Sequence, residues 1–418
     1  MEIKLAYGKE YVTGKLDRSN VLAEVDPKLV AGVENPLAAV KKALAQPIGS
    51  DTLAEIVNKK RPKKIAVVVN DVTRPTPYNY MLAPLVEQLV QAGVEDDQVV
   101  FVVATGIHRP NTDQENRDTF TPEIADRFRV VNHDCDNDLV SLGKMTDGTE
   151  LVINREVAEA DMVITTGLIG LHYFAGYSGG RKSILPGVAA RELITNNHSR
   201  MTEPGAATGS YKENPVHWVM LEAARMAGVD FILNVVTNSN KEVVSVVAGD
   251  LDQAWLAGVK ACEEMSVVKI SRQADVIIAG AGGHPKDLNI YQAQKALENA
   301  AGAVKPGGTI VLIGRCAEGF GEDTFEEWVR EADKLADIFE RFHKQFVLGG
   351  HKAFAIAQVL KEKDVILVSD MSREDTEKMF FRYAASLDEA LQMVRDKHGE
   401  NFLSYLMPQA SLVLPQVE

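Results

Sequence analysis

Seven short runs of β-branched apolar residues recur along this chain, and a polar or glycine-rich turn follows each of them. The runs have almost no polar alternation, which is typical of parallel strands covered by helices on both faces. Helical stretches separate them, so the pattern predicts an α/β protein with mainly parallel sheets. The runs are residues 65–69, 99–103, 162–166, 231–236, 275–279, 309–313 and 364–368.

Two weaker signals predict antiparallel pairing. At the start, Ile3, Leu5 and Tyr7 alternate with polar residues, and Gly8 opens a turn before a second alternating segment at 11–16. We expect a small β-rich segment at the start of the chain. Farther on, Asp147-Gly148 stands between apolar segments, which predicts a hairpin.

The length of 418 residues exceeds what one hydrophobic core usually supports. We expect two α/β domains around an inter-domain active-site cleft. Residues 1–270 would form an N-terminal catalytic and cofactor-binding domain, to which the tail at 404–418 would return. Residues 271–403 would form a Rossmann-like domain that closes over the substrate. The domain boundary is expected within residues 266–273, after a long helix and before the next strand.

Charge and cysteine content exclude several classes of protein. The net charge is -14, from 59 acidic and 45 basic residues, which argues against nucleic acid and membrane surfaces as partners. The 3 cysteines form no CxxC pair, which argues against a disulfide framework or a thiolate zinc site. No apolar run reaches the roughly 18 residues needed to cross a bilayer, and the start lacks the apolar core of a signal peptide. We therefore expect a cytoplasmic protein.

Candidate site residues follow the ends of the first two runs, where open α/β sheets bind ligands. After residue 69 come Asp71, Val72, Thr73 and Arg74. Arg74 can bind a carboxylate or phosphate at two points, and Asp71 is an acceptor or ion-pair partner. A purely structural ion pair between Asp71 and Arg74 that stabilises the loop explains this segment equally well. The second run ends in a turn with His108, a residue type suited to acid/base work on an anion.

The third run leads to a second histidine and a basic, glycine-rich loop. His172 precedes Gly179-Gly180-Arg181-Lys182, where glycines let backbone N–H groups face an anion and the two cations add charge. A P-loop would have glycine before its lysine, so Arg181 argues against a nucleotide triphosphatase. His198 follows on a predicted helix and could bind a metal of nickel or zinc type. Late in the chain, Gln292 and Lys295 share one helix face.

These segments together resemble the nickel-dependent lactate racemase family, which includes malate racemases and other 2-hydroxy-acid epimerases. The resemblance extends from about residue 64 to about residue 370. Its motifs are Asp71-Val-Thr-Arg-Pro, Gly106-Ile-His-Arg-Pro, His172 with Ser178-Gly-Gly-Arg-Lys-Ser, Asn197-His198, and Gly283-His-Pro-Lys-Asp with Tyr291-Gln-Ala-Gln-Lys.

The resemblance implies a nickel-pincer nucleotide, a pyridinium mononucleotide whose thiocarboxyl arms and ring carbon hold nickel, made by separate cofactor-synthesis enzymes. Lys182 would carry the cofactor covalently, and His198 would be the protein ligand to nickel. His108 and His172 would be the acid/base pair. The remaining implied contacts are with the nucleotide, from the Asp71, Val72, Thr73 and Arg74 turn and the loop through Pro186, and with the substrate, from Arg74, Gln292 and Lys295.

This chemistry suits the residues. A histidine of pKa about 6.5 is too weak a base to remove the C2 hydrogen of a hydroxy acid as a proton. If that hydrogen leaves as hydride to an electrophilic ring, only the hydroxyl proton needs a base. The keto acid formed is planar at C2, so hydride return to the other face inverts the configuration. Either enantiomer can enter, which explains two histidines on separate loops.

Three alternatives stay open from the sequence. The substrate could be malate or another 2-hydroxy acid rather than lactate. A zinc- or manganese-dependent sugar-acid isomerase could use the same histidines for enolisation. A binding or carrier protein for a phosphorylated or carboxylated small molecule would need only Arg74, Lys182 and the glycines.

Overall fold

The computed structural model describes all 418 residues and divides the chain into two compact units. The N-terminal unit is Leu29–Met265, and the C-terminal unit combines Met1–Lys28 with Ser266–Glu418. Its second segment therefore begins inside the predicted boundary region. Two details of the predicted division are wrong, because the opening residues and the tail both belong to the C-terminal unit.

Twenty strands carry the sheets of the two units. In chain order they are β1 (Glu2–Tyr7), β2 (Glu10–Lys15), β3 (Val21–Glu24), β4 (Ile65–Asn70), β5 (Val99–Ala104), β6 (Arg129–Asn132), β7 (Leu139–Lys144), β8 (Glu150–Asn154), β9 (Met162–Leu168), β10 (Leu171–His172), β11 (Gly176–Tyr177), β12 (Val229–Thr237), β13 (Val243–Gly249), β14 (Val267–Ile270), β15 (Ala274–Gly280), β16 (Val304–Ile313), β17 (Asp364–Val368), β18 (Arg382–Ala384), β19 (Ser404–Met407) and β20 (Leu414–Val417).

Fifteen α-helices accompany the strands. They are α1 (Pro36–Ala45), α2 (Leu53–Lys60), α3 (Tyr78–Gln91), α4 (Asp113–Phe120), α5 (Pro122–Ala125), α6 (Arg155–Ala158), α7 (Arg191–Ser199), α8 (Pro215–Met226), α9 (Gln253–Ser266), α10 (Ile290–Ala301), α11 (Asp323–Glu331), α12 (Leu335–Lys344), α13 (Gly350–Leu360), α14 (Arg373–Lys378) and α15 (Leu387–His398). None is both long and apolar enough to cross a lipid bilayer.

The N-terminal unit is built on a six-stranded sheet in the order β13-β12-β9-β4-β5-β6. All neighbours are parallel except β13, which pairs antiparallel with β12. Successive residues of β4 enter opposite cores: Val67 packs with side chains of α1 to α3, and Val68 packs with side chains of α8 and α9. Because both faces are covered, the predicted strands lack polar alternation.

The C-terminal unit has a second six-stranded sheet, in the order β18-β17-β16-β15-β19-β3, and all of its neighbours are parallel. The opening residues belong to this unit because β3 pairs with β19. The tail belongs to it because β19 also pairs with β15, and β20 pairs with β14. All seven predicted strands are therefore confirmed, and the fold class is α/β with mainly parallel sheets.

Both predicted antiparallel features are present. Strands β1 and β2 pair antiparallel through a turn in which Gly8 has φ +59°, a conformation that favours glycine. Strands β7 and β8 form the second hairpin, with Gly148 at φ +84° in its turn. Each hairpin stands outside the large sheets.

Candidate active site

Three turns meet at the carboxyl edge of the N-terminal sheet, where β4, β5 and β9 end side by side. The backbone N–H of Val72, after β4, donates to Oδ1 of Asn111 at 3.1 Å. The N–H of Gly106, after β5, donates to the carbonyl oxygen of Gly187 at 2.9 Å. These hydrogen bonds join the segments that carry the predicted site residues into one continuous surface, as the edge rule for parallel sheets predicts.

His108 and Asp71 form a hydrogen-bonded pair. Nδ1 of His108 lies 2.6 Å from Oδ2 of Asp71, and Thr73 donates its hydroxyl to Oδ1 of the same carboxylate at 2.8 Å. Burial alone would raise the pKa of Asp71, but the bonds from His108 and Thr73 and the nearby charge of Arg74 bring it below its ordinary value. Asp71 is thus ionised and accepts from Nδ1–H, so that Nε2 of His108 carries the lone pair.

His172 has the opposite arrangement. Its Nδ1 accepts a hydrogen bond from the backbone N–H of Ala175 at 3.3 Å. The neutral ring therefore carries its hydrogen on Nε2. Burial holds the pKa of His172 well below its usual value, and the nearby cationic groups of Lys182 and Arg74 lower it further. His172 is a neutral hydrogen-bond donor in this structure, whereas His108 offers an acceptor.

Lys182 lies in a 3-10 turn, Gly180–Ser183, at the end of the glycine-rich loop. Its Nζ is 5.7 Å from the centre of the Phe174 ring. Burial lowers the pKa of Lys182 well below its usual value, and the neighbouring cations Arg181 and Arg74 add to the effect. A lowered pKa increases the fraction of neutral amine, which is the form that can attack a carbonyl or thiocarbonyl carbon.

His198 lies near the end of α7, and the ring of Phe174 stands next to it. Phe174 has its ring centre 4.6 Å from that of His172 and 5.0 Å from that of His198. Nδ1 of His198 bonds to the carbonyl oxygen of Ile194 at 2.9 Å, which places the lone pair on Nε2. Burial lowers the pKa of His198 to about 3, so the imidazole is neutral, as a metal ligand must be.

The other predicted residues of this unit are distributed around that cluster. Arg74 is exposed, and its charge acts on Asp71, His172 and Lys182, so it connects the two histidine environments. Val72 and Thr73 belong to the same exposed turn. Pro186 follows a cis peptide bond in the loop after Lys182.

Arg181 does not take the place that the sequence suggested. Its side chain is 1% exposed, and its guanidinium bonds to backbone carbonyl groups rather than to an open anion site. The sequence interpretation of two adjacent ligand-facing cations is therefore wrong for Arg181. The physical reason is packing, because the guanidinium lies 4.0 Å from the Trp255 ring centre.

Sequence reasoning assigned no role to two buried asparagines, Asn234 and the Asn197 of the Asn197-His198 motif. Asn234, on β12, accepts from the backbone N–H of Gly180 at 3.2 Å, which holds the start of the lysine turn. Asn197 is fully buried beside His198, and neither side-chain polar atom has a hydrogen-bond partner. A polar residue inside the apolar run at 231–236 was the available signal for Asn234.

Gln292 and Lys295 lie in the C-terminal unit, in the first turns of α10. Nζ of Lys295 donates to Oε1 of Gln292 at 2.8 Å, which confirms that they share a helix face. The helix is capped by Asn289, whose side chain accepts from the Gln292 N–H.

Comparison with known proteins matches both units. Residues 7–209 match the family described as lactate racemase N-terminal domain, and residues 269–413 match the lactate racemase C-terminal domain. A lactate racemase of Lactiplantibacillus plantarum is 33% identical over 410 residues, which are 95% of this chain and 96% of that protein. One from Thermoanaerobacterium thermosaccharolyticum is 35% identical over 363 residues, 85% of this chain and 84% of that protein.

Solved structures give the same result. The lactate racemase apoprotein from Thermoanaerobacterium thermosaccharolyticum superimposes with a TM-score of 0.93 at 31% identity, and the match covers 100% of both chains. A protein from Thermotoga maritima shares the fold, with a TM-score of 0.67 at 19% identity, over 93% of this chain and 100% of that one. The chain belongs to the lactate racemase family and is an isomerase.

Proposed function

We propose that this enzyme inverts C2 of a small 2-hydroxy acid, and that lactate is its main substrate. Malate or another 2-hydroxy acid is the alternative within the family. The observation that carries the proposal is the pair of imidazoles with opposite Nδ1 contacts: Nδ1 of His108 lies 2.6 Å from the Asp71 carboxylate, and Nδ1 of His172 accepts from the N–H of Ala175. These contacts make His108 an acceptor and His172 a donor at Nε2. Membership in a family of isomerases leaves the carrier interpretation without support.

The residues fit a nickel-pincer nucleotide. Lys182 is partly buried and its lowered pKa favours the neutral amine that can be acylated, and His198 is a partly buried neutral imidazole with its lone pair on Nε2. A single protein donor suits a metal whose other ligands come from the cofactor. Asp71, Val72, Thr73 and Arg74, with the loop through Pro186, would hold the nucleotide.

When bound, this cofactor supplies an electrophilic ring carbon that accepts and returns hydride. The chain itself handles the proton of the substrate hydroxyl. His108 takes that proton at Nε2, and the Asp71 carboxylate stabilises the imidazolium that forms. His172 donates a hydrogen bond from Nε2 to an oxygen of the bound hydroxy or keto acid. The two imidazoles stand on separate turns. The His108 imidazolium returns the proton to the product oxygen, so both rings end in their starting states.

The substrate carboxylate needs a fixed cation while the rest of the keto acid rotates to present its other face. We assign this role to Arg74, whose guanidinium is exposed and acts electrostatically on His172 and Lys182. Gln292 and Lys295 would supply further substrate contacts, as the resemblance implies. We place the enzyme in the cytoplasm, where cofactor-synthesis enzymes would load it.

Isotope transfer tests the proposal. The protein is coexpressed with the cofactor-synthesis enzymes, and racemisation of C2-deuterated lactate is followed in ordinary water. We expect the inverted product to retain deuterium, because hydride transfer keeps the label out of solvent. Complete loss of the label from the first turnover would support enolisation by a zinc or manganese isomerase instead. A panel of 2-hydroxy acids with the same preparation identifies the preferred substrate, and protein made without the synthesis enzymes should be folded but inactive.

A further inference from the structure

Arg181 is a buried cation with an unusual set of partners. Its Nη2 donates to the carbonyl oxygen of Ala175 at 2.9 Å, and its Nη1 donates to those of Ser178 and Gly179 at 3.4 and 3.3 Å. No carboxylate forms an ion pair with it, and its Nε has no partner. An unpaired charge costs several kcal/mol to bury, so only the compensation by carbonyl groups and an aromatic face keeps it there.

Trp255 completes this arrangement. Its indole Nε1 donates to the carbonyl oxygen of Ser178 at 2.9 Å, and its ring lies beneath the guanidinium of Arg181. Two side chains thus hold the carbonyl groups of the segment 175–179 from one side. A planar guanidinium can reach three carbonyl groups at once, and the ammonium of a lysine cannot reproduce this fork.

The segment 175–179 lies between the two candidate functional groups, with His172 before it and Lys182 after it. The backbone of Ala175 accepts from Arg181 through its carbonyl and donates through its N–H to Nδ1 of His172. Lys182 is the next residue after Arg181 in the 3-10 turn Gly180–Ser183. A single side chain is therefore placed to fix the imidazole on one side and the lysine on the other.

We propose that Arg181 is a positioning residue, which fixes the backbone of residues 175–179 so that His172 keeps its hydrogen on Nε2 and Lys182 keeps its place in the site. This inference rests on the proposed function for its catalytic consequence. Its structural part concerns the tautomer of His172 and can be tested without substrate or cofactor.

The test uses Arg181→Lys, with Arg127→Lys as the matched control, because Arg127 forms an exposed ion pair with Asp96 in the same unit. Side-chain nitrogen NMR of the full-length apoprotein reports the tautomer of each histidine, and loss of a signal in His172→Gln assigns that residue. We expect a single Nε2–H form of His172 in the wild type and the Arg127→Lys control. A mixture of the two tautomers is expected in Arg181→Lys.

In the loaded enzyme we expect kcat of Arg181→Lys to fall by about 10- to 100-fold with little change in KM, because a displaced acid/base group slows chemistry rather than binding. Added guanidinium ion at millimolar concentration should restore part of kcat in Arg181→Ala. A purely space-filling role would give no such rescue. An unchanged His172 tautomer together with an unchanged kcat in folded Arg181→Lys overturns the inference.

Trp255→Phe decides the question if the Arg181 variants do not fold. It keeps an aromatic ring under the guanidinium but removes the hydrogen bond to Ser178 and part of the buried ring area, so a smaller shift of the His172 tautomer is expected. A wild-type tautomer in that variant would count against the inference. Absence of racemisation by the loaded wild type would instead refute the proposed function and leave the tautomer result intact.

Discussion

Nδ1 of His108 lies 2.6 Å from Oδ2 of Asp71, and the two side chains differ sharply in exposure, 42% for the histidine and 3% for the aspartate. The Asp71 carboxylate is therefore enclosed by the protein, while the imidazole of His108 is exposed at the surface. In the proposed function the buried partner orients the ring and the exposed ring would contact the substrate.

Asp71→Asn should slow the reaction strongly. An amide can still accept from Nδ1–H, but it lacks the charge that stabilises the imidazolium. We expect kcat to fall by on the order of 10²–10⁴-fold, measured on loaded enzyme with circular dichroism to verify folding. Asp96→Asn, which removes only an exposed ion pair with Arg127, serves as the control. A kcat close to the wild-type value would remove Asp71 from the acid/base machinery.

Lys182→Met should prevent cofactor attachment without unfolding the chain. Methionine fills a similar volume without the partly buried amine, so the free energy of unfolding should not decrease. Intact-mass measurement after coexpression with the synthesis enzymes shows whether an adduct is present. The control is Lys212→Met, which changes an exposed lysine and should keep the adduct. An adduct of unchanged mass on Lys182→Met would place the covalent bond elsewhere.

His217 should make the N-terminal unit sensitive to acid. Its ring stacks on Trp255 with 5.0 Å between centres, and burial, with the charges of Arg181 and Arg225, lowers its pKa to about 3 from the ordinary 6.5. As the pH falls, the unfolded chain therefore binds the proton before the folded chain does. The contribution of His217 to the free energy of unfolding is fully present above pH 6.5 and decreases below it.

Urea unfolding at pH 7 and pH 5 measures this effect. Over that interval we expect the wild type to lose about 2 kcal/mol more than His217→Phe, which has no proton to bind. His343→Gln, a change at an exposed histidine, should behave like the wild type. Parallel loss in wild type and His217→Phe would show that His217 is not the source.

Lys295→Met should weaken substrate use without affecting the cofactor. A hydrogen bond to a charged group contributes about 1.5–3 kcal/mol, so kcat/KM should fall by about 10- to 100-fold. The mass of the loaded protein should be unchanged, since Lys182 is untouched. If the variant lost the adduct instead, Lys295 would act in loading rather than in substrate binding.

The strands of the large sheets were predictable to the extent that both of their faces are buried. All seven apolar runs are strands, because continuous apolar sequence reflects two covered faces. The other five strands of these sheets were missed. Four of them, β3, β6, β13 and β18, lie at sheet edges, and β19 is only four residues long. The unit to which the tail belongs was also beyond prediction, because pairing between β3 and β19 leaves no local signal in either segment.

The residue types of the candidate site could be read from the sequence, but the directions of the side chains could not. His108, His172, Lys182 and His198 follow strand ends or a nearby helix, which the sequence indicates. The inward turn of Arg181 depends on Trp255, which is far along the chain and comes close only after folding. Tautomers likewise depend on single backbone contacts, such as that between Ala175 and His172.

The pairing of β3 with β19 has a consequence for biosynthesis. Ser404–Met407 inserts between β15 and β3, so the parallel sheet of the C-terminal unit stays incomplete until nearly the whole polypeptide has left the ribosome. Leu29–Met265 has no such dependence and can reach its compact form earlier. Nascent chains stalled near residue 300 should already protect the lysine-bearing loop from protease, while their first strands remain cleavable.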